Sequence, residues 1–358
     1  MQGPEPRKPG RRYVVVAPYP VRPTVEGIYA GHLPRHHACG IDRLEAKDCS
    51  VKLIEPCMAI SSDLRRRLRL DIFGEWCDPL QLSRAIAHAV RRDATLYTFS
   101  ELSLGTALIT RRLGRYRPRI VALVHGEYHP SYLVGSVDGA ICLNDDYAER
   151  LEALGLDNVV RVMWGPDLGF RGYECDLPER FSVVSIGRSG RDMQSLLRAL
   201  GAVDKVPAVV NVQTSVLPAN TQTFDKLTTH LIGPHNFDPA SYARPIEAFR
   251  HASIFVVPLI RQFDTPVGLT EVNDALALGR PIVMTRSRGL GFDIEAEGLG
   301  IWVDPGDVDG LINAITMLRD DEPMRREMGI NARSFAERRW NYDRFSADID
   351  MFMASRGF

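Results

Sequence analysis

A helix that must stop at a glycine, followed at once by a strand buried on both faces, is a unit of parallel α/β architecture, and residues 264–307 contain one. The turn Pro266-Val267-Gly268-Leu269-Thr270 leads into a predicted helix that ends at Gly279, and Pro281-Ile282-Val283-Met284-Thr285 reads as the buried strand. Glu271 and Asp274 stand three apart at the start of that helix. A loop, a helix N-terminus and acids in the first turn can together hold a nucleotide diphosphate. Backbone N–H groups and the helix dipole take the phosphates, and a carboxylate accepts from ribose hydroxyls. The same two acids are equally explained by the ordinary preference of a helix start for negative charge.

Strand and helix patterns alternate along the rest of the chain, which predicts parallel sheets. Tyr13–Ala17 is a buried first strand, and Pro18, Pro20 and Pro23 imply an irregular loop after it. Further strands are expected at 51–54, 95–99, 120–124, 140–143 and 159–163, with helices at 80–90, between the strands at 95–99 and 120–124, and at 145–154, the last capped by Asn144. The turn-rich segment Trp164–Phe170 separates the halves. Beyond it come strands at 181–186 and near 208–212, 227–232, 253–258, 281–285 and 299–303, and helices at 192–200 and 307–319. In the last of these Val308, Leu311, Ile312, Ile315 and Leu318 form one apolar stripe behind Asp307 as N-cap. The tail 341–358 carries Phe345, Ile349, Met351 and Phe352 at helical spacing.

A chain of 358 residues is long enough for two domains with their own cores. No run approaches the roughly 18 apolar residues of a membrane span. The polar start, without an apolar h-region, reads as a disordered lead-in and not a secretory signal, so a cytoplasmic protein is expected. Six cysteines form no C-x-x-C pair and read as reduced thiols. Cys39, Cys49 and Cys57 lie near His32, His36 and His37, but the spacing fits no usual zinc site and no metal is expected. Charge is uneven: residues 1–150 carry a net +5 and the remainder a net −6. Basic runs at 65–69 and 111–119 are either solvated helix faces or the footprint of an anionic partner such as a membrane surface, a lipid-linked acceptor or an acidic glycan. Nucleic acid is disfavoured, because the runs lack interleaved aromatics and match no binding module.

Three more constellations carry chemistry. Gly187-Arg188-Ser189-Gly190-Arg191-Asp192 places two cationic forks beside glycines at a strand end, which suits a diphosphate, although surface arginines at a turn look the same. His125 follows the strand at 120–124, where α/β proteins bind ligands, and Glu127 and His129 lie close behind; a structural loop histidine is the alternative. Glu26–Gly31, with Gly27, falls in the expected loop after the first strand, where a plain turn is the simpler explanation. No G-x-G-x-x-G follows that strand, which argues against a dinucleotide dehydrogenase.

The run Asp274-Ala275-Leu276-Ala277-Leu278-Gly279-Arg280-Pro281-Ile282-Val283, with Pro305-Gly306-Asp307 beyond it, resembles the donor-binding core of the retaining glycosyltransferases of the GT-B fold, family 4. The resemblance implies two Rossmann-like parallel-sheet domains facing each other across a cleft. A lead-in (1–12) would precede an acceptor domain (13–165), a linker (166–180), a donor domain (181–340) and a last helix (341–358) that crosses back to the first domain. It further implies transfer from a nucleotide-diphosphate sugar to an acceptor hydroxyl on a glycan, a lipid-linked intermediate or a small molecule. That transfer would retain configuration, need no metal or cofactor, and proceed on the front face, the leaving phosphate taking the acceptor's proton. The catalytic positions it implies are His125, Arg188 and Asp264. Those for the donor are Gly27, Arg188, Arg191, Gly268, Leu269, Thr270, Glu271 and Asp274. The chain departs from the pattern in four places. Asp274 stands where the family has glutamate, and Asp264 is the nearest acid to the family's earlier glutamate. Arg191 stands for a lysine, and Gly27 for one of a glycine pair. These departures keep open a non-catalytic scaffold, or a sugar-nucleotide epimerase or hydrolase, on the same fold.

Overall fold

Buried β-branched residues at Val14, Val15 and Val16 make β1 (Arg12–Val16) an interior strand, paired in parallel on both sides: Tyr13 lies opposite Val51 of β2 (Ser50–Ile54) and Thr95 of β3 (Thr95–Thr98). A computed structural model describes residues 10–45, 49–56, 78, 80–104, 118–126, 129–187, 189–203, 206–213, 227–232 and 246–358. The basic runs at 65–69 and 111–117, the helix expected between the strands at 95–99 and 120–124, Glu127, Cys57 and Arg188 lie outside these residues.

The chain forms two units, and the first takes residues up to Arg22, Ala38–Val162 and Ser346–Phe358. Its sheet runs β2-β1-β3-β4-β5-β6, all parallel, with β4 (Ile120–Val124), β5 (Gly139–Cys142) and β6 (Val159–Arg161) on one side of β3. The buried Gln81 amide at the start of the helix Gln81–Arg92 donates to Ala17 O (2.7 Å) and Ile54 O (2.9 Å), tying the helix start to the ends of β1 and β2. Asn144 caps the helix Asp145–Ala153 by accepting from Tyr147 N, as the sequence predicts. At the chain's end Phe352 and Phe358 fill the space beside Gly139, where a Cβ would lie 3.0 Å from the Phe358 ring.

The second unit takes Pro23–His37 and Met163–Phe345. Its sheet runs β12-β11-β10-β7-β8-β9, also parallel, with β7 (Val183–Ser185), β8 (Ala208–Gln213), β9 (Leu227–Ile232), β10 (Ile254–Val257), β11 (Ile282–Thr285) and β12 (Gly300–Val303). The period-2 alternation of these strands feeds two cores, one on each face. Val184, Phe255, Val257, Ile282 and Met284 face the helices Leu269–Leu278 and Glu322–Arg338, whereas Val183, Ile254, Val256 and Val283 face Met193–Ala202 and Val308–Asp320. The helix Leu269–Leu278 is buried on nearly every side and stops at Gly279, which is left-handed (φ 60°). There it meets the helix Glu322–Arg338 backbone to backbone: a Cβ on Gly329 would overlap Gly279 O. Arg333 Nη1 donates to Ala277 O (2.7 Å), answering one of the helix's terminal carbonyls. Asp307 caps its helix through Gly310 N (2.8 Å), as expected. None of the helices among the described residues is long and apolar enough to cross a membrane.

Two of the longer helices differ from expectation. Residues after β1 form a helix (Arg22–Tyr29), not an irregular loop. Pro23 falls in its first turn, where no intrahelical N–H is needed, and the Glu55 carboxylate accepts from Val21 N and Arg22 N (both 2.6 Å). The helix Glu322–Arg338 was not expected at all. It is capped by Asp321, which accepts from Met324 N, carries Pro323 in its first turn, and buries Gly329, Ala332, Phe335 and Ala336 along one stripe. Small residues supply most of that stripe, so its apolar signal is faint. Pro23–His37 joins the second unit through a short network: Asp167 accepts from Arg35 N (2.9 Å) and Nη2 (2.8 Å), and Trp164 Nε1 donates to His36 O (2.9 Å).

Candidate functional site

In an open parallel sheet, loops leave the carboxyl edge in opposite directions where the strand order reverses, and the gap between them is the place for a ligand. In the second unit the reversal lies between β7 and β10. The two loops leaving those strands are zipped together there: Arg191 and Leu259 form an antiparallel bridge, Asp192 N donates to Pro258 O (2.9 Å) and Ile260 N to Gly190 O (2.9 Å). The helix Leu269–Leu278 starts on the same edge. Gly268 at its N-cap has φ 93°, and a Cβ there would lie 2.8 Å from Val257, so the helix start sits directly on β10. Backbone N–H groups of Leu269, Thr270 and Glu271 open the helix, where the dipole is positive.

Glu271 and Arg191 hold this edge together. The Glu271 carboxylate accepts from Ile186 N (2.7 Å), Gly187 N (3.0 Å) and Arg191 Nη2 (2.8 Å), and both side chains are almost fully buried, at 4% and 5% exposure. A Cβ on Gly187 would overlap the Arg191 guanidinium, so a larger residue there would displace that side chain. Arg191 Nη1 donates to Ser189 O (2.9 Å). Asp274, one turn further on, points into the core and accepts from the Tyr173 hydroxyl (2.5 Å). Burial, reinforced by the charge of Glu271 and opposed by the Tyr173 hydrogen bond, raises its carboxyl to about 8, so it is largely neutral below that pH. Asp264 is exposed in the loop after β10.

The structure therefore gathers Arg191, Gly268, Leu269, Thr270 and Glu271 at one sheet edge, with Asp264 in the loop beside them and Asp274 beneath, inside the core. Gly27 lies within the helix Arg22–Tyr29 instead of a loop; its carbonyl accepts from His32 N (2.8 Å), and a Cβ there would meet Leu33 at 2.9 Å. His125 follows β4 in the first unit, whose own strand order reverses between β1 and β3. In the segment where histidines and cysteines cluster in the sequence, burial lowers His36 to about 3 and raises the Cys39 thiol to about 12.

Four residues that shape the site carry no local sequence signal. Tyr173 fixes Asp274 from a hundred residues away in the chain. Thr285 Oγ accepts from Leu259 N (2.8 Å) at the end of β11. Phe263 O collects three donors, Ser287 Oγ (2.9 Å), Arg288 N (3.1 Å) and Gly289 N (3.0 Å). Gly289 packs so closely that a Cβ would overlap the Thr265 carbonyl. The loop 258–268 is thus set by the segment after β11. Gly289→Ala is expected to push that loop off its seat, because a backbone overlap is not relieved by turning a side chain. The cost should be about 1–3 kcal/mol, with nucleotide binding lost beyond what the change in Tm explains. Unaltered nucleotide affinity by calorimetry would show that the loop's position does not matter.

Residues 226–335 match the family model described as glycosyl transferases group 1. No curated protein sequence matches the chain significantly. Among solved structures, a sucrose-phosphate synthase from Thermosynechococcus elongatus superposes with a TM-score of 0.68 at 14% identity, covering 97% of this chain and 99% of its own. Anabaena HepE in complex with UDP-glucose gives 0.61 at 13% identity, covering 96% and 99%. A glycosyltransferase from Rickettsia africae gives 0.59 at 13%, covering 97% and 99%. The fold is GT-B. Asp264, Gly268–Glu271 and Asp274 all fall inside the residues that match the group 1 glycosyl transferase model.

Proposed function

We propose that the chain is a retaining glycosyltransferase of family 4 that takes a sugar from a nucleotide-diphosphate sugar, without a metal, and delivers it to the hydroxyl of a glycan, a lipid-linked intermediate or a small molecule. The observation that carries this is the helix N-terminus at Gly268–Glu271, seated on glycines beside Arg191 where the second sheet reverses its strand order. Anabaena HepE, similar in fold, is known in complex with UDP and with UDP-glucose, which makes a uridine nucleotide the first donor to test. The amides at 268–270 and Arg188 hold the leaving diphosphate, and Arg191 holds the edge through Glu271. The departing phosphate takes the acceptor's proton on the front face of the sugar, and His125 contacts the sugar. Asp274 supports this edge from inside, through Tyr173, in place of a ribose contact.

Thermal shift with UDP, GDP, ADP and dTDP, followed by mass spectrometry of each matching sugar donor incubated alone, tests the proposal. One nucleotide is expected to raise Tm, and its sugar donor to be hydrolysed slowly. No stabilisation by any of the four would turn the reading to a non-catalytic scaffold of the same fold.

A further inference from the structure

The first unit holds a fully buried carboxylate that none of this has used. Glu101 opens a short 3-10 turn (Glu101–Leu104) after β3, and its side chain has no exposed surface. Thr98 builds the approach to it: its hydroxyl donates to Ser100 O (2.5 Å) and accepts from Ser100 N (3.3 Å). The neighbouring strand β4 ends at His125, whose backbone N–H donates to Glu101 Oε2 (2.9 Å). The ring then folds back on the same oxygen, with Nδ1 at 3.4 Å. Nδ1 is the buried edge of the imidazole, whereas the side chain as a whole is 22% exposed. A carboxylate behind one ring nitrogen fixes the tautomer and turns the other nitrogen outward.

We propose that Glu101 is the positioning residue for His125. It holds the proton on Nδ1, so that Nε2 faces the sugar as an acceptor when the ring is neutral and as a donor when it is charged. The proposal rests on the reading of His125 as a sugar contact. Arrangement and environment agree with it. Both residues lie at the carboxyl edge of adjacent strands, β3 and β4, and β3 borders the reversal of the first sheet. Among the described residues, the titratable groups around the carboxylate are Cys142 at the end of β5 and Tyr147 on the helix Asp145–Ala153. Burial is the first cause, and the charge of Glu101 the second, that holds both neutral, the Cys142 thiol near 12. Arg150, Glu152 and Arg161 stand behind them.

Nitrogen-15 NMR of the wild-type ring tests the tautomer without a variant: above its titration midpoint the His125 proton should reside on Nδ1. Glu101→Gln keeps an acceptor for the His125 N–H and removes the charge. It should lower the midpoint of the His125 titration by about 1–3 pH units, and shift the acid limb of kcat/KM for UDP-glucose hydrolysis by the same amount at unchanged KM. A proton found on Nε2, or a midpoint that stays in place in folded Glu101→Gln, overturns the proposal and leaves the proposed function standing. A midpoint that moves while the rate profile does not removes His125 from the reaction, and the positioning role with it. Absence of any turnover with a shifted midpoint would instead count against the donor reading alone.

Discussion

Asp274→Asn should make the protein more stable at pH 8 than the wild type, and should flatten its stability between about pH 4 and pH 8. The sign follows from proton linkage. The folded-state carboxyl of Asp274 is raised from 3.8 to about 8, mainly by burial, so between those values the native state binds a proton that the unfolded chain has lost. Wild-type stability therefore falls as pH rises through this window, by on the order of 1 kcal/mol per pH unit, and levels off above the folded value. Tyr173 opposes the shift by donating to the carboxylate, and Glu271, on the same helix, adds to it. An asparagine keeps an acceptor for Tyr173 and has nothing to ionise. Urea denaturation at pH 5, 6.5 and 8 measures the effect. Parallel curves for the two proteins would mean that Asp274 is ionised in the folded state and has a partner other than Tyr173.

Arg191→Ala should destabilise the second unit by about 3–5 kcal/mol, the usual consequence of removing one partner from a buried ion pair. Glu271 would keep its bonds to Ile186 N and Gly187 N but would carry an unmatched charge at 4% exposure. The double variant Arg191→Met/Glu271→Gln should recover most of the loss, because it removes both charges at similar volume. Its nucleotide affinity should stay low, since the Gly187 backbone loses the guanidinium packed against it. A loss below about 1 kcal/mol for Arg191→Ala, within the range of an exposed pair, would show that the pair is solvated in solution and free to engage a diphosphate directly.

The parallel α/β architecture was legible because it rests on local patterns. Alternation of buried strands such as Ile120–Val124 and Ile282–Thr285 with capped helices such as Asp145–Ala153 and Val308–Asp320 is written in neighbouring residues. Gly279 marked its helix end for the same reason: a left-handed residue there needs glycine whatever surrounds it. Where the expectation missed, the local signal was weak or misleading. Proline after β1 suggested a loop, yet Pro23 is compatible with a first helical turn once Glu55 supplies the cap. The stripe on Glu322–Arg338 is built mostly from glycine and alanine, which pack well but score little as apolar.

Chemistry at the sheet edges divides in the same way. Residue types pointed to the turn at 266–271, to the arginines after β7 and to His125, because charge, glycine and a strand end are visible one segment at a time. What each carboxylate does was settled by partners far away in the chain. Glu271 is matched to Arg191 across 80 residues, Asp274 to Tyr173 across 101 and His125 to Glu101 across 24. A helix start favours an acid whether it serves a ligand, an arginine or a tyrosine, so sequence alone assigns the acid and leaves its use open. Burial and the identity of the opposing group, which exist only once the sheet has brought distant loops together, choose among those uses.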